Sequence, residues 1–134
     1  MNIKRFSDTD YTKLQLTPRF EELEVGFYNC KIKVPDAASL LFLNHELFGL
    51  EIYKFNSEKT EPFIIDCGAN IGLSVIYFKK LFPKAKVIAF EPAPVIYKRF
   101  MENVHLNKLE NIDARNIGLS NEKGELKFYV SENG

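Results

Sequence analysis

The chain has 134 residues, 46% hydrophobic and 27% charged, with 18 Lys plus Arg against 18 Asp plus Glu. That is enough apolar material for one compact domain and short for a complete doubly wound enzyme. The neutral balance gives no electrostatic reason to expect nucleic acid or an acidic membrane surface as partner, and no window approaches the ~20 apolar residues of a membrane helix.

Residues 1–62 read as an N-terminal extension. Asn2 to Arg19 is polar and scattered, a flexible arm or a short helix near Phe20 to Leu23, and the start lacks the apolar core of a signal peptide. Val25, Phe27, Cys30, Ile32 and Val34 alternate with polar residues, with one slip at Asn29, which predicts a strand or hairpin over Glu24 to Val34. Asp36 is placed to cap a helix from Ala37 to Phe48, with Gly49 as its stop. A short strand is expected over Leu50 to Phe55, and NSEKTEP reads as a turn or linker into residues 63–134. Cys30 and Cys67, each in an expected strand and without metal-like spacing, read as buried reduced thiols of a cytoplasmic protein.

Residues 63–134 have a β-α-β-α-β pattern. Phe63 to Cys67 is a continuous apolar run broken only at Asp66, the composition of a parallel strand covered on both faces. A helix over Ile71 to Phe82, a strand over Lys86 to Phe90, a helix from Pro92 and Pro94 to about Asn107, and a weaker strand over Asn111 to Ile117 come next. Asn121 to Gly124 is a turn before a last strand, Leu126 to Val130. The fold class is α/β: a three-layer, Rossmann-like, partial parallel sheet ordered third-second-first strand, with an N-terminal αβ extension. The free edge of Phe63 to Cys67 needs protection. The N-terminal segment or a second copy in a homodimer is expected to supply it.

The chemistry concentrates at Asp66-Cys67-Gly68-Ala69-Asn70-Ile71-Gly72. A strand that turns sharply into a helix needs residues tolerant of unusual dihedrals, here Gly68, Asn70 and Gly72. The helix N-terminus is expected to offer free N–H groups. A dinucleotide site has the spacing GxGxxG with a diphosphate at that terminus. Here the spacing is GxNxG, and the preceding acid would repel a diphosphate. Asp66 suits an ammonium, so S-adenosyl-L-methionine fits better than NAD; an acid that only caps the turn is the plain alternative. Glu91, at the end of the second strand, is placed to accept both ribose hydroxyls of an adenosine, or to cap the next helix, with Pro92 stiffening the turn. Asn116, Ile117 and Gly118 end the third strand at the same sheet edge and could offer backbone or amide contacts to an adenine ring, a plain strand-to-loop transition being the equal alternative. His45 and His105 have no arrangement around them that suggests nucleophilic or metal chemistry.

The segments IIDCGANIGLSVIYF, VIAFEPAP, NVHLNKLENI and IGLSNEKGELKFYV resemble the FkbM family of class I methyltransferases over Phe63 to Val130. The resemblance implies S-adenosyl-L-methionine-dependent methylation of an oxygen on a small molecule, such as a carbohydrate. It also implies that Asp66, Gly68, Ala69, Asn70 and Gly72 hold the methionine portion and Glu91 the ribose. Family members continue with a further acidic strand end and the remaining strands, so the chain is expected to carry the cofactor-binding half and to stop before the acceptor half. A half-domain that binds without turnover is the second reading, and a NAD-dependent dehydrogenase the third.

Overall fold

The computed structural model describes residues 5–125 and 127. In chain order the elements are α1 (Asp8–Leu16), β1 (Leu23–Phe27), β2 (Cys30–Val34), α2 (Ala37–Asn44) continued by a π-helical turn (His45–Gly49), β3 (Phe63–Cys67), α3 (Leu73–Leu81), β4 (Lys86–Phe90), α4 (Pro94–Leu106) and β5 (Ile112–Arg115). The expected last strand, Leu126 to Val130, falls outside the described residues apart from Lys127.

Within the polar arm, Asp8–Leu16 is a helix. Ser7 caps α1 by accepting a hydrogen bond from the Asp10 N–H at 3.0 Å. Only Leu14 of that helix is buried, so its sequence has little apolar period to read. Phe20 to Leu23 is not helical: Phe20 has a positive φ of 65° and Leu23 opens β1. Asn29 is the slip because Tyr28 and Asn29 form the tip of the β1–β2 hairpin, with Phe27 paired to Cys30. Leu50 to Phe55 forms no strand. Glu51 turns the chain at a φ of 52°, and the apolar residues go elsewhere: Tyr53 stacks on Phe78 and Phe55 packs against Phe82.

Asp36 caps α2 as expected and also gathers the segment before β1. Its carboxylate accepts from the Ser39 N–H and hydroxyl at 2.9 and 2.6 Å, the Phe20 N–H at 3.1 Å and Arg19 Nε at 2.8 Å. Burial opposes its ionisation, but these donors outweigh burial and lower its pKa from 3.8 to about 2. The stabilisation is therefore complete above the unfolded value and lost as pH falls through the folded one. Asp36→Asn is expected to cost about 2 kcal/mol at neutral pH. In paired urea titrations the gap to the parent should close as pH drops from about 4 to about 2. A gap independent of pH would contradict the role.

The second sheet is parallel, ordered β3-β4-β5, with Asp66 opposite Ala89 and Phe90 opposite Arg115. All three carboxyl ends therefore lie at one edge. Ile64, Asp66, Val87 and Ala89 point to the buried side, where the Ser74 hydroxyl of α3 meets Asp66. The alternate residues do not. Phe63 and Ile65 are 61% and 59% exposed, and Cys67 is exposed as well. The expectation of a strand covered on both faces, and of a buried Cys67 thiol, is thus corrected: among the described residues the layers are the sheet, the α3–α4 pair and the N-terminal extension. Tyr53 and Phe55 flank a cleft of about 480 Å³ along β3, so the extension shields that strand only in part.

Two asparagines dock the extension onto α4. Asn103, 1% exposed, accepts from the Lys33 N–H at 2.8 Å and donates to the Lys33 and Ile71 carbonyls at 3.0 and 2.9 Å. One turn later Asn107 makes the same pair of bonds to Lys31, at 2.9 and 2.7 Å. Four residues of helix rise about 6 Å, close to two residues of strand. The two amides therefore stand in for a third strand along the free edge of β2. Through Ile71 the same Asn103 holds the loop between β3 and α3.

Candidate functional site

The loop Gly68 to Gly72 bends through three positive φ angles, 98° at Gly68, 50° at Asn70 and 87° at Gly72. These are the residues whose dihedral tolerance the sequence singled out. The two glycines serve different needs. A Cβ on Gly68 would meet nothing within 4 Å, so that side of the loop is open. A Cβ on Gly72 would sit 2.4 Å from the fully buried ring of Phe100.

The loop's own N–H groups are already used. Those of Gly68 and Ala69 both donate to the Phe90 carbonyl, at 2.9 and 2.8 Å. That of Asn70 donates to Glu91 Oε2 at 3.0 Å, that of Ile71 to Asn70 Oδ1 at 2.7 Å, and that of Gly72 to the Ala69 carbonyl at 2.8 Å. The turn itself therefore has no N–H group left for a ligand, while the first three N–H groups of α3, those of Leu73, Ser74 and Val75, find no acceptor among the described residues, as expected of a helix N-terminus. The dihedrals were legible in the sequence. The closure was not, because its main acceptor is a carbonyl of another strand.

Two carboxylates frame the loop. Asp66 is 7% exposed and accepts from the Ser74 hydroxyl at 2.6 Å. Burial pushes its pKa up; the Ser74 hydrogen bond opposes this, and the negative charge of Glu91 adds to it. Among the described residues no cation is paired with it. Its one hydrogen-bond partner among the described residues is thus the Ser74 hydroxyl, and its remaining lone pairs are open to a further donor. Glu91 is equally buried, and it bridges Asn70 to the start of α4 by accepting from the Ala93 N–H at 2.9 Å. Each Glu91 oxygen thus takes one backbone donor and keeps further lone-pair capacity. The capping and ligand-binding readings of Glu91 are compatible in this geometry.

Pro92 lies between Glu91 and Ala93, within the turn that the hydrogen bond from the Ala93 N–H to Glu91 closes. The Asn116 amide donates to the Glu91 and Pro92 carbonyls at 2.8 and 3.1 Å, tying the end of β5 to the turn after β4. Ligand contact from Asn116 falls to its Oδ1. Ile117 is exposed, and Gly118 approaches Pro92 closely enough that an added Cβ would lie 3.5 Å from its ring. The loop, Glu91, Pro92 and residues 116–118 therefore share the carboxyl edge of the sheet. His45 and His105 are exposed and away from these residues. No group of three His, Cys, Asp or Glu side chains is placed to hold a metal among the described residues. Sequence reading gave no part in the site to Ser74, Phe100 or Asn103. Only the Asn103/Asn107 pair left a signal, two amides one helical turn apart.

The model of the Methyltransferase FkbM domain matches residues 66–134, just over half of the chain. Methyltransferase sdnD of Sordaria araneosa is 43% identical over 93 residues, which is 69% of this chain and 36% of that protein. The 2-O-methyltransferase NoeI of Sinorhizobium fredii is 34% identical over 74 residues, 55% of this chain and 30% of its own length. The crystal structure of M. jannaschii TYW2 in complex with AdoMet superposes with a TM-score of 0.55 at 29% identity, covering 74% of this chain and 44% of that one. The chain spans well under half the length of these curated relatives.

Proposed function

The chain belongs to the FkbM methyltransferase domain family, and we propose that it binds S-adenosyl-L-methionine for methyl transfer to a hydroxyl oxygen of a small molecule, such as a carbohydrate. The observation that carries this reading is the chemistry of the loop. Its N–H groups are spent internally, while Asp66 stays buried with no cation beside it among the described residues. A buried carboxylate beside the turn disfavours a diphosphate there and suits a ligand that carries an ammonium. Asp66 holds the amino group, Gly68, Ala69, Asn70 and Gly72 shape the floor, and Glu91 accepts the ribose hydroxyls. Pro92, Asn116, Ile117 and Gly118 border the adenine. The cofactor supplies an electrophilic methyl carbon, and the protein's task is to orient it against the acceptor oxygen. The TYW2 structure with AdoMet and the 2-O-methyltransferase name of NoeI support the reading.

Calorimetry with S-adenosylhomocysteine tests it: the folded chain should bind, and a chain that does not bind has no such site. Glu91→Ala should weaken binding by about 1–3 kcal/mol through loss of charge-assisted hydrogen bonds. Unchanged affinity would leave Glu91 as a bridge between the loop and α4 only.

The edge of β3, only partly shielded among the described residues, is on this reading where a second copy pairs. Sedimentation velocity should show a dimer that dissociates when Ile65→Lys places a charge on that strand. A monodisperse monomer would end the idea. No helix among the described residues is long and apolar enough to cross a membrane. The exposed Cys67 and half-buried Cys30 are both free, which suits a reducing cytoplasm.

A further inference from the structure

A cavity of about 310 Å³ lies on the flank of the loop, between it and the N-terminal extension, lined by Arg19, Ala38, Ser39, Phe42, Leu43 and Asn70. Asn70 is the only residue it shares with the proposed cofactor site. Asp66, Gly68 and Glu91 do not line it. Its polar wall has an uneven chemistry. Arg19 is held by one hydrogen bond, Nε to Asp36, and its guanidinium carbon lies 4.7 Å from the centre of the Phe20 ring. Among the described residues its two terminal nitrogens make no hydrogen bond. Asn70 uses its Oδ1 on the Ile71 N–H, leaving the NH₂ group to donate. Ser39 has already given its hydroxyl hydrogen to Asp36. The uncommitted donors are thus the terminal nitrogens of the Arg19 guanidinium and the Asn70 amide. The apolar lining is Ala38, Phe42 and Leu43. A guanidinium pinned at Nε presents its remaining N–H groups in the planar geometry that a carboxylate matches.

We infer that this cavity is the subsite for an acidic group, a carboxylate, on the methyl acceptor, with Arg19 and Asn70 reading the charge and Phe42 and Leu43 the apolar portion. The inference rests on the methyltransferase reading and narrows its acceptor to an anionic, partly apolar hydroxyl compound. Arg19 is a specificity residue here. It lies in the extension and is placed by Asp36, so the N-terminal segment contributes to substrate choice and does not merely cover the sheet.

A matched pair of probes tests the charge alone. The isotope-labelled chain, saturated with S-adenosylhomocysteine, is titrated with para-nitrophenyl β-glucuronide and with para-nitrophenyl β-glucoside, which differ in one carboxylate. The glucuronide should shift the Asn70 side-chain amide and bind at least about tenfold tighter than the glucoside, the strength of one charge-assisted pair. Arg19→Gln should erase that preference with S-adenosylhomocysteine affinity unchanged, and Arg19→Lys should retain part of it. Arg19 is exposed, and Asp36 keeps its donors from Ser39 and Phe20, so both variants should fold, as thermal denaturation would verify. Equal binding of the two glycosides, or no response at Asn70, overturns the subsite. Loss of S-adenosylhomocysteine affinity in Arg19→Gln overturns it too, by giving the cavity to the cofactor's own carboxylate. A parent chain that binds S-adenosylhomocysteine but does not discriminate between the glycosides loses the subsite and keeps the methyltransferase reading; one that fails to bind S-adenosylhomocysteine removes both.

Discussion

Gly72→Ala is expected to destabilise the chain by about 2–5 kcal/mol, combining a left-handed backbone that a Cβ penalises by roughly 1–2 kcal/mol with an overpacking cost of about 1–3 kcal/mol. The backbone part follows from a φ of 87°, and the packing part from Phe100, whose ring would lie 2.4 Å from the new methyl group. That ring is fully buried on α4. Gly68→Ala separates the two contributions. Its φ of 98° is as unfavourable, yet an added Cβ meets nothing within 4 Å. It should lose only about 1–2 kcal/mol. Urea titrations of the two variants provide the comparison. Trimming the ring in a Gly72→Ala, Phe100→Leu double variant should recover part of the loss, because the residues are in contact and their effects are not additive. Equal destabilisation by the two glycine substitutions would mean that the contact with Phe100 adds nothing to the cost.

The different fates of these glycines mark the limit of what the sequence made legible. β3 and β4 lie where they were expected, residue for residue. Each is an apolar run ended sharply by residues that cannot continue it, Gly68 after one and Pro92 soon after the other. The parallel order followed from alternating strand and helix patterns. The three positive φ angles followed from residue type. What failed was whatever depends on the distant side of a contact. A five-residue apolar strand does not say which of its faces the helices will cover, so Cys67 was placed inside and lies outside. Leu50 to Phe55 has the composition of a strand. Its aromatic rings found Phe78 and Phe82 instead of a partner strand. The donors of the turn are taken by the Phe90 carbonyl and the Glu91 carboxylate, which no local pattern shows, while the N–H groups at the start of α3 stay without an acceptor among the described residues, as expected of a helix N-terminus.

Asp66→Asn is expected to separate stability from binding. In the free chain burial raises the Asp66 pKa above its ordinary 3.8, so ionising it costs folding free energy. That cost is absent below the unfolded value and grows to its full size as pH rises through the folded one. The amide carries no charge and can still accept the Ser74 hydroxyl hydrogen through Oδ1. The substitution should therefore make the ligand-free protein more stable at neutral pH, with the gain fading toward pH values of about 4. Cofactor affinity should move the other way. On the proposed reading the carboxylate pairs with the cofactor's ammonium, and removing one partner of a desolvated charge pair costs about 3–5 kcal/mol, a loss on the order of a hundredfold to a thousandfold or more. Thermal denaturation of the free protein and calorimetry with S-adenosylhomocysteine read the two effects separately. A variant less stable than the parent and unchanged in affinity would make Asp66 a turn cap held by Ser74. A variant more stable and unable to bind would show that the loop carries a buried charge whose folding cost is offset when the cofactor is bound.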